Sequence, residues 1–168
     1  MSQNRPISAF IEKNYLHKRE DFEFIDGIFD LCSYYQNQNH LIIVVTNQSG
    51  IARGYYSEED FADLTFWMVG AFAERGVEIS HVYHCPHHPD ISGKCECRKP
   101  KAGMLLKAAK EHHIDLENSI LVGDSERDIT AAHAAGLKQT YLFTPDQEET
   151  KATQNIHSLR TLIKKNAC

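Results

Sequence analysis

Residues 41–50 read Leu41-Ile42-Ile43-Val44-Val45-Thr46-Asn47-Gln48-Ser49-Gly50. The first five are apolar without alternation, and this pattern predicts a strand that is buried on both faces of a parallel sheet. The next five are polar and predict a turn at the carboxyl end of that strand. Open α/β sheets bind their ligands at this edge. The turn is therefore a candidate binding site.

Helical and extended patterns alternate along the rest of the chain. A helical pattern begins at Asp21 and runs through Cys32, and a second begins at Ser57, where Asp60 completes a capping box. Further strands are predicted at residues 79–84, 119–123 and 140–143, and the last helical pattern includes Leu159. This alternation predicts a single α/β domain over residues 1–168, with a doubly wound, mostly parallel sheet.

A loop rich in cysteine and histidine follows the strand at 79–84. Its candidate ligands are spaced Cys-x-His and Cys-x-Cys, and they are Cys85, His87, Cys95 and Cys97. Three thiolates and one imidazole at this spacing can close a tetrahedral structural zinc site. His88 is an alternative to His87, but Cys-x-His mirrors Cys-x-Cys and favours His87. We therefore predict a zinc loop over residues 85–97.

Charged residues lie where further strand ends are expected. Arg98 and Lys99 follow the zinc loop directly, and Asp124 follows the strand at 119–123. Taken separately, Lys99 reads as a solvated charge and Asp124 as a helix cap. A second aspartate, Asp128, lies four residues after Asp124. Together with Thr46 and Asn47, these residues supply a hydroxyl, an amide, an ammonium group and carboxylates suited to Mg²⁺, which are the groups that hold a phosphoryl group. The combination favours a phosphate site.

Composition and charge exclude several other classes of protein. The 168 residues carry a formal net charge of −5, which argues against a generic nucleic-acid surface, including a zinc-stabilised nucleic-acid module. The sequence contains no apolar run of membrane-spanning length and no signal-peptide pattern. We expect a cytoplasmic monomer, where reduced thiolates can bind zinc. We expect a small phosphorylated sugar as its partner, with no nucleic acid and no membrane.

Three motifs together resemble the haloacid dehalogenase superfamily and, within it, the heptose bisphosphate phosphatases. They are Val45 to Gly54, the Cys-Pro-His and Cys-x-Cys-Arg-Lys-Pro loop, and Gly123-Asp124. The resemblance covers roughly Tyr15 to Thr144. Histidinol-phosphate phosphatases share the zinc loop but differ after Thr-Asn-Gln, and they remain an alternative.

The resemblance implies a Rossmann-like fold with a short zinc-binding loop and no large cap. It also implies Mg²⁺-dependent hydrolysis of a phosphate monoester through an aspartyl-phosphate. The implied substrate is a heptose bisphosphate in the pathway to ADP-heptose and the lipopolysaccharide core.

The resemblance also implies residue roles. Thr46 would bind a phosphoryl oxygen, Lys99 would stabilise the pentavalent state and Asp124 would ligate Mg²⁺. The implied substrate contacts are Asn47, Gln48, Ser49, Arg98 and Lys99. Ser125 stands at a further substrate position, where the family has a lysine.

The first motif of the family, Asp-x-Asp-Gly at the end of the first strand, has no counterpart in this sequence. In the family its first aspartate attacks phosphorus and its second is the general acid and base. Family spacing places Asn4 and Pro6 at these positions or, after a deletion, Glu12 and Asn14. Glu12 is the one candidate nucleophile among them, and its extra methylene displaces the attacking oxygen by about 1 Å, which costs roughly 100-fold in rate.

Residues 1–12 are therefore expected to contain an atypical or truncated first strand. We predict that Ile7 to Ile11 fills the central position of the sheet, because an empty position would leave two unpaired strand edges. The chain is either a truncated form of an active enzyme or a degenerate relative that keeps the fold and the zinc. In both cases we expect the chain as written to be inactive or severely impaired. A non-catalytic phosphosugar-binding or partner-binding protein is the alternative.

Overall fold

The computed structural model describes residues 7–9, 18–146 and 149–166. Its strands are β1 (Ile7–Ala9), β2 (Ile42–Asn47), β3 (Ile79–Cys85), β4 (Ile120–Gly123), β5 (Gln139–Phe143) and β6 (Gln154–Ile156). Its α-helices are α1 (Ile28–Gln36), α2 (Glu58–Glu74), α3 (Gly103–His112), α4 (Glu126–Ala135) and α5 (Arg160–Asn166). Short 3₁₀ turns occupy Arg19–Asp21 and Leu116–Asn118.

Within the described residues, the strands form one sheet in the order β3-β2-β1-β4-β5-β6. Every neighbouring pair is parallel. The chain thus winds from β1 to one side of the sheet and then returns to build the other side. This arrangement confirms the predicted doubly wound parallel sheet.

The first strand occupies the centre of the sheet. Ile7 pairs with Ile42 on one side and with Ile120 on the other, and Ala9 pairs with Val122. The prediction that this segment fills the central position is confirmed for residues 7–9, while residues 10–12 lie outside the described residues. The strands β2 and β4 are therefore joined through β1, and their carboxyl ends lie at one edge of the sheet.

The first helix begins later than the sequence pattern predicted. The pattern indicated a helix from Asp21, but α1 begins at Ile28 after Gly27, whose φ of 84° lies in the left-handed region. Phe22 and Phe24 instead pack against Trp67 of α2, with ring centroids 5.5 and 5.6 Å apart. Burial of these rings against α2 outweighs the local helical pattern.

Helices cover both faces of the sheet. On one face α1, α2 and α5 bury a core that includes Leu31, Phe72 and Leu162. On the other face α3 and α4 bury a core that includes Leu105 and Ile129. Among the residues that the structure describes, no helix combines the length and the apolar character that crossing a bilayer requires.

Candidate functional site

The predicted site residues lie at the carboxyl edge of the sheet. Thr46 and Asn47 end β2 and are buried, and Asp124 and Ser125 follow β4 directly. Lys99 comes from the loop between β3 and α3 and is 2% exposed. Side-chain contacts join these three segments, so the structure brings together residues that are far apart in sequence.

A buried ion pair lies at the centre of this edge. The Lys99 ammonium lies 2.5 Å from Asp128 Oδ1 and donates to the Val45 carbonyl at 3.3 Å. The other carboxylate oxygen of Asp128 accepts the backbone N–H groups of Asp124 and Ser125, each at 3.2 Å. These bonds offset the cost of burying two charges. They hold the ammonium group against the carbonyl of Val45, the residue that precedes Thr46 in β2.

The Asn47 side chain holds the backbone of Lys99. Its Nδ2 donates to the Lys99 carbonyl at 3.2 Å, and the Lys99 N–H donates to its Oδ1 at 3.0 Å. Both ends of the amide are thus used to fix Lys99 against the end of β2. The expected contact between Asn47 and a substrate stays a prediction.

A second amide lies beside the Thr46 hydroxyl. Gln48 Nε2 donates to Thr46 Oγ1 at 2.9 Å, and the Tyr56 hydroxyl donates to Gln48 Oε1. The acceptor for the Thr46 hydroxyl is the Asn47 carbonyl, at a long 3.4 Å. Thr46 therefore receives a good hydrogen bond and donates only a weak one.

The turn after β2 is tied to the loop after β3 by backbone hydrogen bonds. The Gln48 N–H donates to the Cys85 carbonyl at 2.7 Å, and the Ala52 N–H donates to the Pro86 carbonyl at 3.2 Å. A side-chain contact of 2.8 Å also joins Arg53 Nη2 to His88 Nε2. These bonds continue the pairing of β2 and β3 beyond the sheet, so the two loops form one unit.

The four predicted zinc ligands lie together. The Sγ atoms of Cys85, Cys95 and Cys97 and Nδ1 of His87 all lie within 4.8 Å of one another. Cys85 Sγ lies 3.6 Å from Cys95 Sγ and 2.8 Å from Cys97 Sγ. Zn–S bonds of about 2.3 Å place two tetrahedral ligands about 3.8 Å apart. The donor set therefore fits a tetrahedral zinc ion after the Cys85–Cys97 pair opens by about 1 Å.

His88 is not one of these four ligands. Its Nδ1 accepts the Asp90 N–H at 3.2 Å, and its Nε2 contacts Arg53. By contrast, His87 Nδ1 lies 3.5 Å from Cys85 Sγ and 3.3 Å from Cys97 Sγ. The geometry is therefore consistent with the choice of His87 over His88.

The three thiols of the cluster differ in acidity. Burial raises the pKa of Cys85 and of Cys97. Burial also acts on Cys95, but hydrogen bonds from the Arg98 N–H and from the neighbouring thiols outweigh it and lower its pKa to about 7. Metal ligation requires thiolates, and Cys95 is the thiol that most readily supplies one.

The remaining predicted substrate contacts lie at the rim of this edge. Arg98 is half-buried as a residue, and its guanidinium donates to the His87 carbonyl at 3.3 Å. Ser49 is half-buried in the turn after β2. Ser125 is the N-cap residue of α4, and its hydroxyl lies 3.4 Å from Asp128 Oδ2. The N-cap residue of α4 is therefore Ser125, so the interpretation of Asp124 as the helix cap is wrong.

One residue of the site, Tyr56, was not among the predicted ones. Asp128 was expected beside Asp124 as a carboxylate suited to Mg²⁺, and the structure shows it as the buried partner of Lys99. Tyr56 reaches the site through Gln48 from a loop, and no spacing pattern indicates it. The predicted nucleophile candidate, Glu12, lies outside the described residues.

The close packing of Gly123 against Asp128 gives a first testable prediction. A Cβ atom at Gly123 would lie 2.5 Å from Asp128 Cβ and 2.7 Å from its Oδ2. We expect Gly123→Ala to displace this buried carboxylate and to lower the free energy of unfolding by about 1–3 kcal/mol. Thermal denaturation measures the effect.

The control is Gly70→Ala within α2, where a Cβ atom would have no neighbour within 4 Å. It should stabilise the protein by up to about 1 kcal/mol, because alanine favours helix over glycine. Equal stability of the two variants would contradict the proposed packing constraint.

The chain is similar in sequence to known proteins. A family model described as HAD-hydrolase-like matches residues 96–160. D-glycero-alpha-D-manno-heptose-1,7-bisphosphate 7-phosphatase from Campylobacter jejuni is 46% identical over 153 residues, which cover 91% of this chain and 87% of the relative. D-glycero-beta-D-manno-heptose-1,7-bisphosphate 7-phosphatase from Vibrio cholerae is 42% identical over 160 residues, which cover 89% of this chain and 86% of the relative.

Solved structures share the fold. A HAD-like phosphatase from Mesorhizobium loti superposes with a TM-score of 0.84 at 25% identity, covering 96% of this chain and 85% of that one. D,D-heptose 1,7-bisphosphate phosphatase from B. bronchiseptica, solved with magnesium and phosphate, superposes with a TM-score of 0.79 at 24% identity and covers 97% of each chain. The structures show the shared fold, and the relatives at 42–46% identity over most of the chain show that the protein belongs to the heptose-1,7-bisphosphate 7-phosphatase family of the HAD hydrolases.

Proposed function

We propose that this protein binds D-glycero-D-manno-heptose 1,7-bisphosphate at the carboxyl edge of its sheet, in the manner of a 7-phosphatase. A chain with this sequence turns the substrate over very slowly or not at all. The observation that carries the proposal is the buried Lys99 ammonium, fixed by Asp128 and by the Val45 carbonyl beside Thr46. A desolvated, preorganised cation beside a hydroxyl donor is suited to a phosphoryl group.

Each group of the site has a distinct proposed task. Thr46 donates its hydroxyl hydrogen to a phosphoryl oxygen, and Lys99 stabilises the negative charge that develops as the bond to phosphorus changes. Arg98, Ser49 and Ser125 lie at the rim and contact the rest of the bisphosphate. Arg98 can do so bidentately, because a guanidinium group matches phosphate geometry.

Two metals belong to this proposal. The Asp124 carboxylate follows β4 beside the ion pair and is the residue that would hold Mg²⁺, a cation that prefers carboxylate oxygens and phosphate together. When bound, Mg²⁺ neutralises part of the phosphoryl charge. The cluster of Cys85, His87, Cys95 and Cys97 would hold Zn²⁺ as a structural ion that fixes the loop preceding Lys99.

Impaired turnover follows from the sequence. No Asp-x-Asp pair occurs in the chain, so neither the nucleophile nor the general acid and base of the family is present. A cytoplasmic monomer fits thiolates kept reduced for zinc. Participation in ADP-heptose synthesis for the lipopolysaccharide core fits the substrate of the relatives.

Restoring the first motif tests the proposal. Glu12 and Asn14 follow β1 in the chain, whereas Asn4 and Pro6 precede it, and the site lies where the parallel strands end. We therefore expect Glu12→Asp/Asn14→Asp to release phosphate from heptose 1,7-bisphosphate at least about 100-fold faster than the parent chain, because aspartate lacks the extra methylene that displaces the attacking oxygen of Glu12. Both anomers are assayed with Mg²⁺, because the relatives differ in anomer.

Two controls accompany this assay. Asn4→Asp/Pro6→Asp adds the same two carboxylates before β1 and should stay at the parent rate. Histidinol phosphate should be a poorer substrate than the heptose bisphosphate. Full turnover by the parent chain would contradict the proposed impairment and would point to Glu12 as the nucleophile.

The absent first motif also favours a second function, phosphosugar binding without hydrolysis. Calorimetric titration of the parent chain with heptose 1,7-bisphosphate, read together with the turnover of Glu12→Asp/Asn14→Asp, separates the two cases. Binding by the parent, with no turnover in that variant, would support the non-catalytic function. Absence of binding would contradict both functions.

A further inference from the structure

We infer that Gln48 and Tyr56 are positioning residues that hold the Thr46 hydroxyl as a hydrogen-bond donor toward the phosphoryl group. The inference rests on the proposed function, because it concerns the same phosphate site. It gives Gln48 a different task from the substrate contact that the family resemblance implies, and it adds Tyr56, to which neither the sequence nor the comparisons give a role.

Both ends of the Gln48 amide are engaged. Its Nε2 donates to Thr46 Oγ1 at 2.9 Å, and its Oε1 accepts the Tyr56 hydroxyl. Its backbone N–H donates to the Cys85 carbonyl at 2.7 Å, which fixes the residue from the other side. A side chain held in this way acts on substrate through Thr46.

The orientation of the amide decides what Thr46 can do. A hydroxyl group has one hydrogen and two lone pairs. Because Gln48 donates to Thr46, one lone pair is used and the hydrogen stays available for an acceptor. Its present acceptor, the Asn47 carbonyl, is 3.4 Å away and is easily exchanged for a phosphoryl oxygen. A reversed amide would accept the Thr46 hydrogen and remove it from the site.

Tyr56 supports this orientation, because its hydroxyl donates to the amide oxygen. Its side chain is 6% exposed, so its place is set by packing. The ring lies directly over Gly50, where an added Cβ atom would be 2.3 Å from Tyr56 Cε1. The Tyr55 N–H donates to the Gly50 carbonyl at 2.9 Å and closes the same turn. The glycine therefore permits the close approach that brings the phenol to Gln48.

Phosphate affinity tests the inference without relying on turnover. Inorganic phosphate is titrated calorimetrically, with Mg²⁺ present, into the full chain and into Tyr56→Phe, which keeps the ring and removes the hydroxyl. We expect Tyr56→Phe to weaken phosphate binding about 5-fold, the effect of one hydrogen bond. Gln48→Met, which removes both bonds of the amide, should weaken binding at least as much.

A double-mutant cycle identifies Thr46 as the residue through which the effect passes. In a Thr46→Val background, Tyr56→Phe should change phosphate affinity by less than about 1.5-fold, since no hydroxyl remains to be oriented. Tyr55→Phe, at a neighbouring tyrosine that is 53% exposed, is the matched control and should bind phosphate like the parent.

Each outcome has one meaning. Failure of the parent chain to bind phosphate would overturn the proposed function, and this inference with it. Normal affinity in Tyr56→Phe, or an undiminished loss in the Thr46→Val background, would overturn the inference alone. Unchanged melting temperature in Tyr56→Phe shows that a loss of affinity is not a loss of fold.

Discussion

Replacing Lys99 with methionine is expected to lower the free energy of unfolding by about 3–5 kcal/mol, because the buried carboxylate of Asp128 loses its counter-charge. Both side chains of this pair are 2% exposed, and their charged atoms lie 2.5 Å apart. Thermal denaturation should show a decrease in melting temperature of roughly 6–20 °C. The same variant should lose phosphate binding.

Two further variants test whether the lost counter-charge is the cause. Lys99→Met/Asp128→Asn removes both charges and should recover most of the lost stability, but it should not recover phosphate binding. Lys101→Met removes an exposed lysine that lies 3.4 Å from Glu96 and should change stability by less than about 1 kcal/mol. A double variant as unstable as Lys99→Met would show that an unpaired charge is not the cause.

Replacing His87 with alanine is expected to weaken zinc binding by roughly 100- to 1,000-fold. The estimate takes one ligand as about a quarter of the 10–16 kcal/mol typical of structural zinc sites. The parent chain, purified without added metal, should contain about one zinc per molecule, a full complement for four ligands. Competition with a chromophoric zinc chelator gives the relative affinities.

The neighbouring histidine provides a matched control. His88→Ala removes an equally large ring from the same loop, but that ring contacts Arg53 and the Asp90 N–H instead of the cysteine cluster. It should keep the zinc content of the parent chain. Loss of zinc in His88→Ala with retention in His87→Ala would show that His88 is the ligand. A parent chain without zinc would contradict the zinc site altogether.

The sheet was predictable because its strands are short, apolar and separated by helical patterns. Residues 41–45 are apolar throughout, and β2 lies there with both faces covered. Ile7–Ala9 was placed at the centre of the sheet because a gap there would expose two strand edges. By contrast, β6 was missed, since it is three residues long and Ile156 is its one fully buried side chain.

The grouping of the candidate site residues was predictable where a residue type carries the chemistry itself. Thr46, Lys99 and the four metal ligands are such residues, and the structure places them as two compact groups. The sequence predicts positioning residues less well, because an amide such as Asn47 is equally typical of a substrate contact. Tertiary contacts alone distinguish the two roles, and Tyr56 has no signature in the sequence near it.

Burial of the Lys99 ammonium affects how strongly phosphate binding should depend on ionic strength. A surface cluster of lysines binds phosphate through charges that dissolved salt screens within about 10 Å at 0.1 M. The ammonium of Lys99 is 2% exposed and is already stripped of water in the folded protein. We therefore expect the proposed attraction between Lys99 and a phosphoryl group to be screened far less, so that this contact depends little on salt concentration.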